Sequence, residues 1–373
     1  MPVPADLLSS RLAELSAMVA ASPVDALVVS HLPNLLYLFG VPASAGLAVV
    51  GPDGATVVAD ARYRDAFTDA VAGIPGVSVA PMPLGSNYEE TLAAVLSSRG
   101  IQKAGVEAAS MTLARASAVG RHLSAGPVSL VETDGMVELL RAVKDPWEQA
   151  IFREAGARLT EVAACILPKV SAGRQEREVA WEIEVALREG GFERPAFETI
   201  VASGPNGARP HHRSGERRIA AGDLVVVDFG GVLDGYAVDM TRTVAVGRIA
   251  NDRREWLAAV AAAQRAATNA VAPGVRPSDI DAAARGVLVS AGLGERFTHG
   301  TGHGLGLEVH ERPSIGPRGD ATGPVAAGMV FTVEPGVYVP GHGGVRIEDD
   351  VIVTATGVER LTGAVPGFEA HES

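Results

Sequence analysis

Along the first 140 residues the apolar positions switch between two spacings. Residues 7–21 repeat with a helical period, and residues 63–72 and 88–99 read as further helices. Residues 25–30, 46–50, 55–59 and 77–80 are short apolar runs of strand length. Alternation of this kind predicts a small α/β layer domain over residues 1–140. It carries little recognisable chemistry: His31 and His122 stand alone there and read as ordinary surface or core histidines.

The pattern changes across residues 140–147. Asp145 is placed to cap a helix whose first residue is Pro146, and that helix is expected to run through residues 151–167. A second helix is expected over 176–189, then two more over 253–271 and 278–291. The glycines that bound them match: Gly173 and Gly274 are 101 residues apart, as are Gly191 and Gly292. Each helix pair precedes strands that carry acids. Residues 145–373 are therefore expected to form an α+β domain with a pseudo-two-fold duplication and a pocket between its halves.

Between the helix pairs, two apolar strands flank Asp234-Gly235, a strong hairpin signal. If those two residues form the loop, Leu233 faces Tyr236 and Asp228 faces Thr241. Asp239 then lies diagonally across from Asp228 on the same face. Three further residues share the same kind of setting. His303 lies between Gly302 and Gly304, Glu334 follows residues 331–333, and Glu348 follows residues 345–347. Four carboxylates and an imidazole in apolar or glycine-rich surroundings are too many acids to bury without cations. Oxygen donors with one histidine suit two divalent ions, Mn²⁺ first, with Co²⁺ or Zn²⁺ as alternatives. Gly302, Gly304 and Gly306 allow close backbone approach around His303; no P-loop lysine accompanies them, which argues against a phosphate cradle.

Charge and composition narrow the partners. The net charge of −12 over 373 residues argues against nucleic acid and against an anionic membrane surface. The single cysteine, Cys165, lies in the apolar stretch 162–167 and is expected to be a small core residue. One cysteine excludes an intrachain disulfide. The first six residues lack a basic start before an apolar run, so a cytoplasmic protein is expected.

The strings His299-Gly-Thr-Gly-His303-Gly-Leu-Gly-Leu-Glu-Val-His310-Glu311-Arg-Pro313, Thr332-Val-Glu334-Pro-Gly336 and Val345-Arg346-Ile-Glu348-Asp349 share a signature when taken with Asp228 and Asp239. Together they resemble the metallopeptidase group of methionine aminopeptidase, aminopeptidase P and prolidase, whose catalytic fold is called pita-bread. Asn34-Leu-Leu-Tyr37-Leu-Phe-Gly40 and residues 141–148 resemble the creatinase-like N-terminal domain and linker of the prolidase and aminopeptidase P branch.

The resemblance implies a role for each matching residue. Asp228 would ligate one metal, Asp239 and Glu348 would bridge, and His303 and Glu334 would complete the second. Glu334 would also shuttle a proton. His211, with His212 as a competitor, would lie near the substrate and stabilise the reaction intermediate. His310 would contact the substrate carbonyl or the proline side of it, and His299 would support His303 or line the proline pocket. Apart from the resemblance, Arg346 lies two residues before Glu348 on the same strand face, where a guanidinium can hold a supporting carboxylate such as Asp239, or else the free carboxylate of a dipeptide. Asp349 and Asp350 read as strand-end surface acids.

The implied activity is removal of the N-terminal residue from Xaa-Pro di- or oligopeptides, by a homodimer. A small-molecule C–N hydrolase of the same fold, ectoine-hydrolase or creatinase-like, is the first alternative. A non-catalytic binding module is the second, disfavoured because no metal position is missing.

Overall fold

The apolar runs of the first unit pair into one mixed sheet of six strands. The structure, a computed structural model, describes residues 3–124 and 126–365. It divides into two units after Arg141. In the first, strands β1 (Ala26–Val29), β2 (Leu47–Gly51), β3 (Gly54–Ala59), β4 (Val77–Pro81), β5 (Lys103–Glu107) and β6 (Ser129–Thr133) lie in the order β4-β3-β2-β1-β5-β6. Helices α1 (Ala5–Ala20), α2 (Leu32–Phe39), α3 (Arg64–Ala70), α4 (Tyr88–Ser98), α5 (Leu113–Leu123) and α6 (Met136–Ala142) alternate with them. Val28, Val49, Val58, Leu92 and Leu96 meet in its core. The sequence pattern anticipated β1 to β4 and α1, α3 and α4. It did not anticipate β5, β6, α2, α5 or α6.

The second unit begins with a helix built as its sequence dictates. The Asp145 carboxylate accepts from Trp147 N and Glu148 N at 2.9 Å each, and Glu148 returns the bond by accepting from Asp145 N. This capping box, with Pro146 in the first turn, starts α7 (Pro146–Ile166). Helix α8 (Glu176–Glu189) follows. Helices α9 (Asn251–Ala270) and α10 (Pro277–Ser290) form the second pair. The duplication appears in the backbone: Gly173 and Gly274 share φ values of 92° and 86°, and Gly191 and Gly292 share 83° and 72°. Gly173 N donates to Ile219 O and Gly274 N to Val325 O, each at 2.8 Å.

Cys165 departs from expectation, because it is exposed. Helix α7 buries Leu159, Val162, Ala163 and Ile166. Its turn of 3.6 residues rotates position 165 away from that stripe although the whole run is apolar.

The strands of the second unit carry the chemistry. Strands β7 (Arg194–Pro195) and β8 (Ile200–Ser203) both pair with β9 (Leu224–Leu233), which forms a hairpin with β10 (Tyr236–Ala245). The turn sits at Asp234 (φ 48°) and Gly235 (φ 86°), the two positive values a tight hairpin of this kind needs. Leu233 opposes Tyr236 and Asp228 opposes Thr241, the register read from the sequence. Strands β11 (Gly302–Gly304), β12 (Glu311–Ile315), β13 (Val330–Val333), β14 (Gly336–Val339), β15 (Gly343–Arg346), β16 (Asp349–Val353) and β17 (Val358–Arg360) follow. The sheet order is β12-β11-β13-β16-β17, and β14 pairs with β15 separately. Phe152, Leu159, Ile183, Val227 and Met240 centre one core, and Val260, Ile280, Leu288, Phe331 and Val351 centre another. No helix among the described residues is long and apolar enough to cross a membrane.

Candidate metal centre

The hairpin brings its two acids to one face of the sheet. Asp228 stands opposite Thr241 and Asp239 opposite Gly230, two steps along. Residue 230 has no room for a side chain, since a Cβ there would lie 2.3 Å from Val238 O. Glu348, between β15 and β16, is fastened to the hairpin twice. Its N–H donates to Thr241 O at 3.1 Å, and its Oε2 accepts from Thr241 Oγ1 at 2.5 Å. Glu334 follows directly on β13.

His303 is held against Glu334 by a shared hydroxyl. His303 N donates to Thr332 Oγ1 at 3.1 Å, and Thr332 Oγ1 donates to Glu334 Oε1 at 3.2 Å. The Nδ1–H of His303 points to Gly304 O at 3.2 Å, which leaves the Nε2 lone pair free for a ligand. That Nε2 lies 3.5 Å from Glu334 Oε1. One donor atom each from Asp239, His303 and Glu348 fall within 4.8 Å of one another. The close strand contact depends on glycine: a Cβ at Gly302 would lie 1.8 Å from Thr332 O.

The charges of this cluster do not balance without cations. Asp228 Oδ1, Asp239 Oδ1 and Glu348 Oε1 are buried and have no hydrogen-bond partner among the described residues. Burial, then the neighbouring acids, push the Asp239 and Glu348 carboxyls well above the ordinary range. Burial also raises Glu334, although His299 and Arg346 oppose it. A buried carboxylate oxygen with no donor costs free energy unless a cation meets it. The orphaned oxygens, four hard carboxylates and a tautomer-fixed imidazole therefore fit divalent metal.

Arg346 serves the cluster from behind, in a different way from expectation. Its Nη2 donates to Asp228 Oδ2 at 2.5 Å, its Nε to Thr241 Oγ1 at 3.1 Å, and its Nη1 to the Tyr338 hydroxyl at 2.9 Å. The carboxylate it holds is Asp228 and not Asp239. The Asp239 backbone N–H is instead held by Asp350 Oδ2 at 2.9 Å.

That contact also corrects the reading of Asp349 and Asp350, which are buried at 3% and 0% exposure. Strand β16 runs inside the sheet between β13 and β17, so neither acid reaches solvent. Asp349 pairs with Arg242 at 2.7 Å and accepts from Gln264 at 2.8 Å.

A cleft of about 710 Å³ opens over these groups, lined also by His211, His212, His299 and His310. The ring of His310 lies 4.1 Å from that of His303, centroid to centroid. Burial, with His303 and His211 beside it, pulls the His310 imidazole down to about 4, so it is neutral near pH 7. His299 bonds not to His303 but to its own neighbours. Its Nδ1–H donates to Gly300 O at 2.7 Å, and its Nε2 accepts from the Tyr338 hydroxyl at 2.9 Å. Burial holds His299 below its usual value as well.

The adjacent pair His211 and His212 is separated by a buried acid. His212 Nε2 donates to Glu176 Oε2 at 2.8 Å. Glu176, at 0% exposure, also accepts from Ser203 N, Ser203 Oγ, Asn206 Nδ2 and Gly215 N. Burial favours the neutral acid there, but these hydrogen bonds prevail and hold Glu176 below 4.5. Glu176, Tyr338, Thr241 and Thr332 had no assigned role in the sequence. The polar string from Ser203 to Gly215, which needs a partner once folded, was the available clue to Glu176.

Residues 150–355 match metallopeptidase family M24, and residues 11–143 match the creatinase/prolidase N-terminal domain. The chain belongs to metallopeptidase family M24. It is a hydrolase in which a creatinase-like domain precedes the family's pita-bread domain along the sequence, as the motifs implied. The Xaa-Pro dipeptidase of Pyrococcus horikoshii is 31% identical over 96% of this chain and 98% of its own. Among solved structures, the Xaa-Pro dipeptidase from Bacillus anthracis superposes with a TM-score of 0.89. That match has 34% identity over 96% of this chain and 98% of that one. The X-Pro aminopeptidase from Thermotoga maritima gives a TM-score of 0.82 at 29% identity, over 94% and 97%. M24 similarity thus extends to both dipeptidases and aminopeptidases.

Proposed function

We propose that this chain is a dinuclear-metal hydrolase that removes the N-terminal residue from Xaa-Pro peptides. The observation that carries the reading is the set of orphaned buried oxygens on Asp228, Asp239 and Glu348 beneath a histidine-lined cleft. Near full-length relatives named Xaa-Pro dipeptidase support the substrate class. Asp228 would hold one ion, Asp239 and Glu348 would be shared, and His303 with Glu334 would hold the other. We favour manganese, with cobalt or zinc as alternatives, because carboxylate oxygens outnumber the one imidazole. A cytoplasmic homodimer is our expectation from the family resemblance.

What the ions would supply there is Lewis acidity, toward water and toward the scissile carbonyl. The protein's own groups then divide the remaining work. Glu334, with only Oε1 held by Thr332, would take a proton through Oε2 and return it to the leaving imino nitrogen. Neutral His310, with His211 beside it, stands on the cleft wall to donate a hydrogen bond to the carbonyl oxygen as charge develops there. Arg346 pairs with Asp228 and orients its carboxylate. His299, neutral and fixed by Tyr338, supplies a flat wall for the proline ring.

The test is turnover by the manganese-loaded protein of a Xaa-Pro dipeptide and a Xaa-Pro-Xaa tripeptide, each beside its Xaa-Ala counterpart. Activity confined to the proline substrates supports the reading. Silence on both proline substrates with metal bound would overturn it and favour a small-molecule hydrolase.

A further inference from the structure

The cleft must deal with the far end of its substrate as well as with the scissile bond. In a Xaa-Pro dipeptide a free carboxylate sits on the proline itself, within a few bonds of the reacting carbonyl. The four acids of the floor are taken up by the proposed metals, so this second carboxylate needs a cation of its own on the cleft wall. Among the described residues that line the cleft, the permanently charged cations are Arg213 and Arg346.

Arg346 is not available. All three of its nitrogens are engaged, by Thr241, by Tyr338 and Pro210 O, and by Asp228, and the side chain is 4% exposed. Turning it to a substrate would strip Asp228 of its partner. His212 gives its Nε2–H to Glu176, and His299 gives its Nδ1–H to Gly300 O.

Arg213 has the opposite character. Its Nε and Nη2 lie 3.2 Å from Glu198 Oε2, in a pair whose side chains are 84% and 64% exposed. Exchange of partner there costs little, because exposed pairs of this sort contribute little stability. Its backbone is nevertheless fixed on both sides. His212 is tied to Glu176, and Ser214 Oγ accepts from Val201 N at 2.8 Å and donates to Thr199 O at 3.1 Å. An exposed guanidinium on a fixed stem, at the rim beside His211, has the planar fork of donors that matches a carboxylate.

We propose that Arg213 reads the free terminal carboxylate of a Xaa-Pro dipeptide, exchanging Glu198 for the substrate. This rests on the Xaa-Pro reading above and adds a determinant of dipeptide preference to it. Glu198 occupies the guanidinium until the substrate arrives and so competes with it.

The experiment compares kcat/KM for a Xaa-Pro dipeptide with that for its C-terminal amide, using the full metal-loaded chain. The wild type favours the free acid. In Arg213→Gln the acid-to-amide ratio falls about tenfold, through KM of the acid, as expected for loss of one charged hydrogen-bonded contact. In Glu198→Gln the ratio rises, because the competitor is gone. Three results would overturn the proposal: no acid preference in the wild type, an unchanged ratio in Arg213→Gln, or an equal fall in Glu198→Gln, which would mark the pair as structural. No turnover of either substrate by the wild type would instead defeat the Xaa-Pro reading, and this inference with it.

Discussion

Each of the five proposed metal donors was legible for the same reason. An acid or imidazole set in apolar or glycine-rich sequence has no solvent to face once the strands form. What those residues rest on was less legible. Arg346 binds Asp228 where Asp239 was expected, because its Nε is anchored on Thr241, the residue directly opposite Asp228 in the hairpin. Asp349 and Asp350 looked like strand-end acids, since adjacent acids usually are, and only the pairing of β16 with both neighbours buries them. Choosing between His211 and His212 needed Glu176, which holds the second from 36 residues away. His211 is thereby the histidine left to the substrate. His211→Ala should lower kcat about a hundredfold, the scale of one lost hydrogen-bond catalyst, with metal content unchanged by elemental analysis. Loss of metal in that variant would show that His211 acts as a ligand.

Elements were readable where one periodicity dominated. Helices α7 to α10 and the β9–β10 hairpin followed from capping residues, glycine stops and the Asp234-Gly235 turn. Strand β5 did not: Lys103-Ala-Gly-Val-Glu107 has charged ends and a central glycine, and little intrinsic preference for a strand. It forms because β1 and β6 pair with it on both sides. At the proposed centre, the element that matters most is the contact of β11 with β13, which places His303 beside Glu334 and requires no side chain at residue 302. Gly302→Ala should therefore destabilise the fold by about 3 kcal/mol, the upper end for an added methyl group in a packed interior. It should also weaken metal binding more than an exposed substitution such as Gly286→Ala. Denaturant midpoints and metal titration check both. Native stability together with native metal affinity in Gly302→Ala would contradict this account of the β11–β13 contact.

At the scale of the whole molecule, the second unit folds around a deficit of positive charge. The Asp239 and Glu348 carboxyls are raised well above their usual range, and Glu334 is raised too. A carboxyl whose folded value exceeds its unfolded value carries extra proton in the native state. Stability then falls as pH climbs through that window. Protein stripped by a chelator should accordingly lose Tm as pH rises above the ordinary carboxylate range, whereas loaded protein, with those carboxylates held ionised, should lose much less. Equal pH dependence of the two forms by calorimetry would mean that the acids are compensated from within the chain. The measurement that bears most directly on the central claim is metal content, by elemental analysis, in the wild type and in Asp239→Asn, with turnover of a Xaa-Pro dipeptide on the same samples. The account predicts two equivalents in the wild type, with loss of metal and of activity in a variant that stays folded. Two retained equivalents and near-native turnover in Asp239→Asn would contradict it.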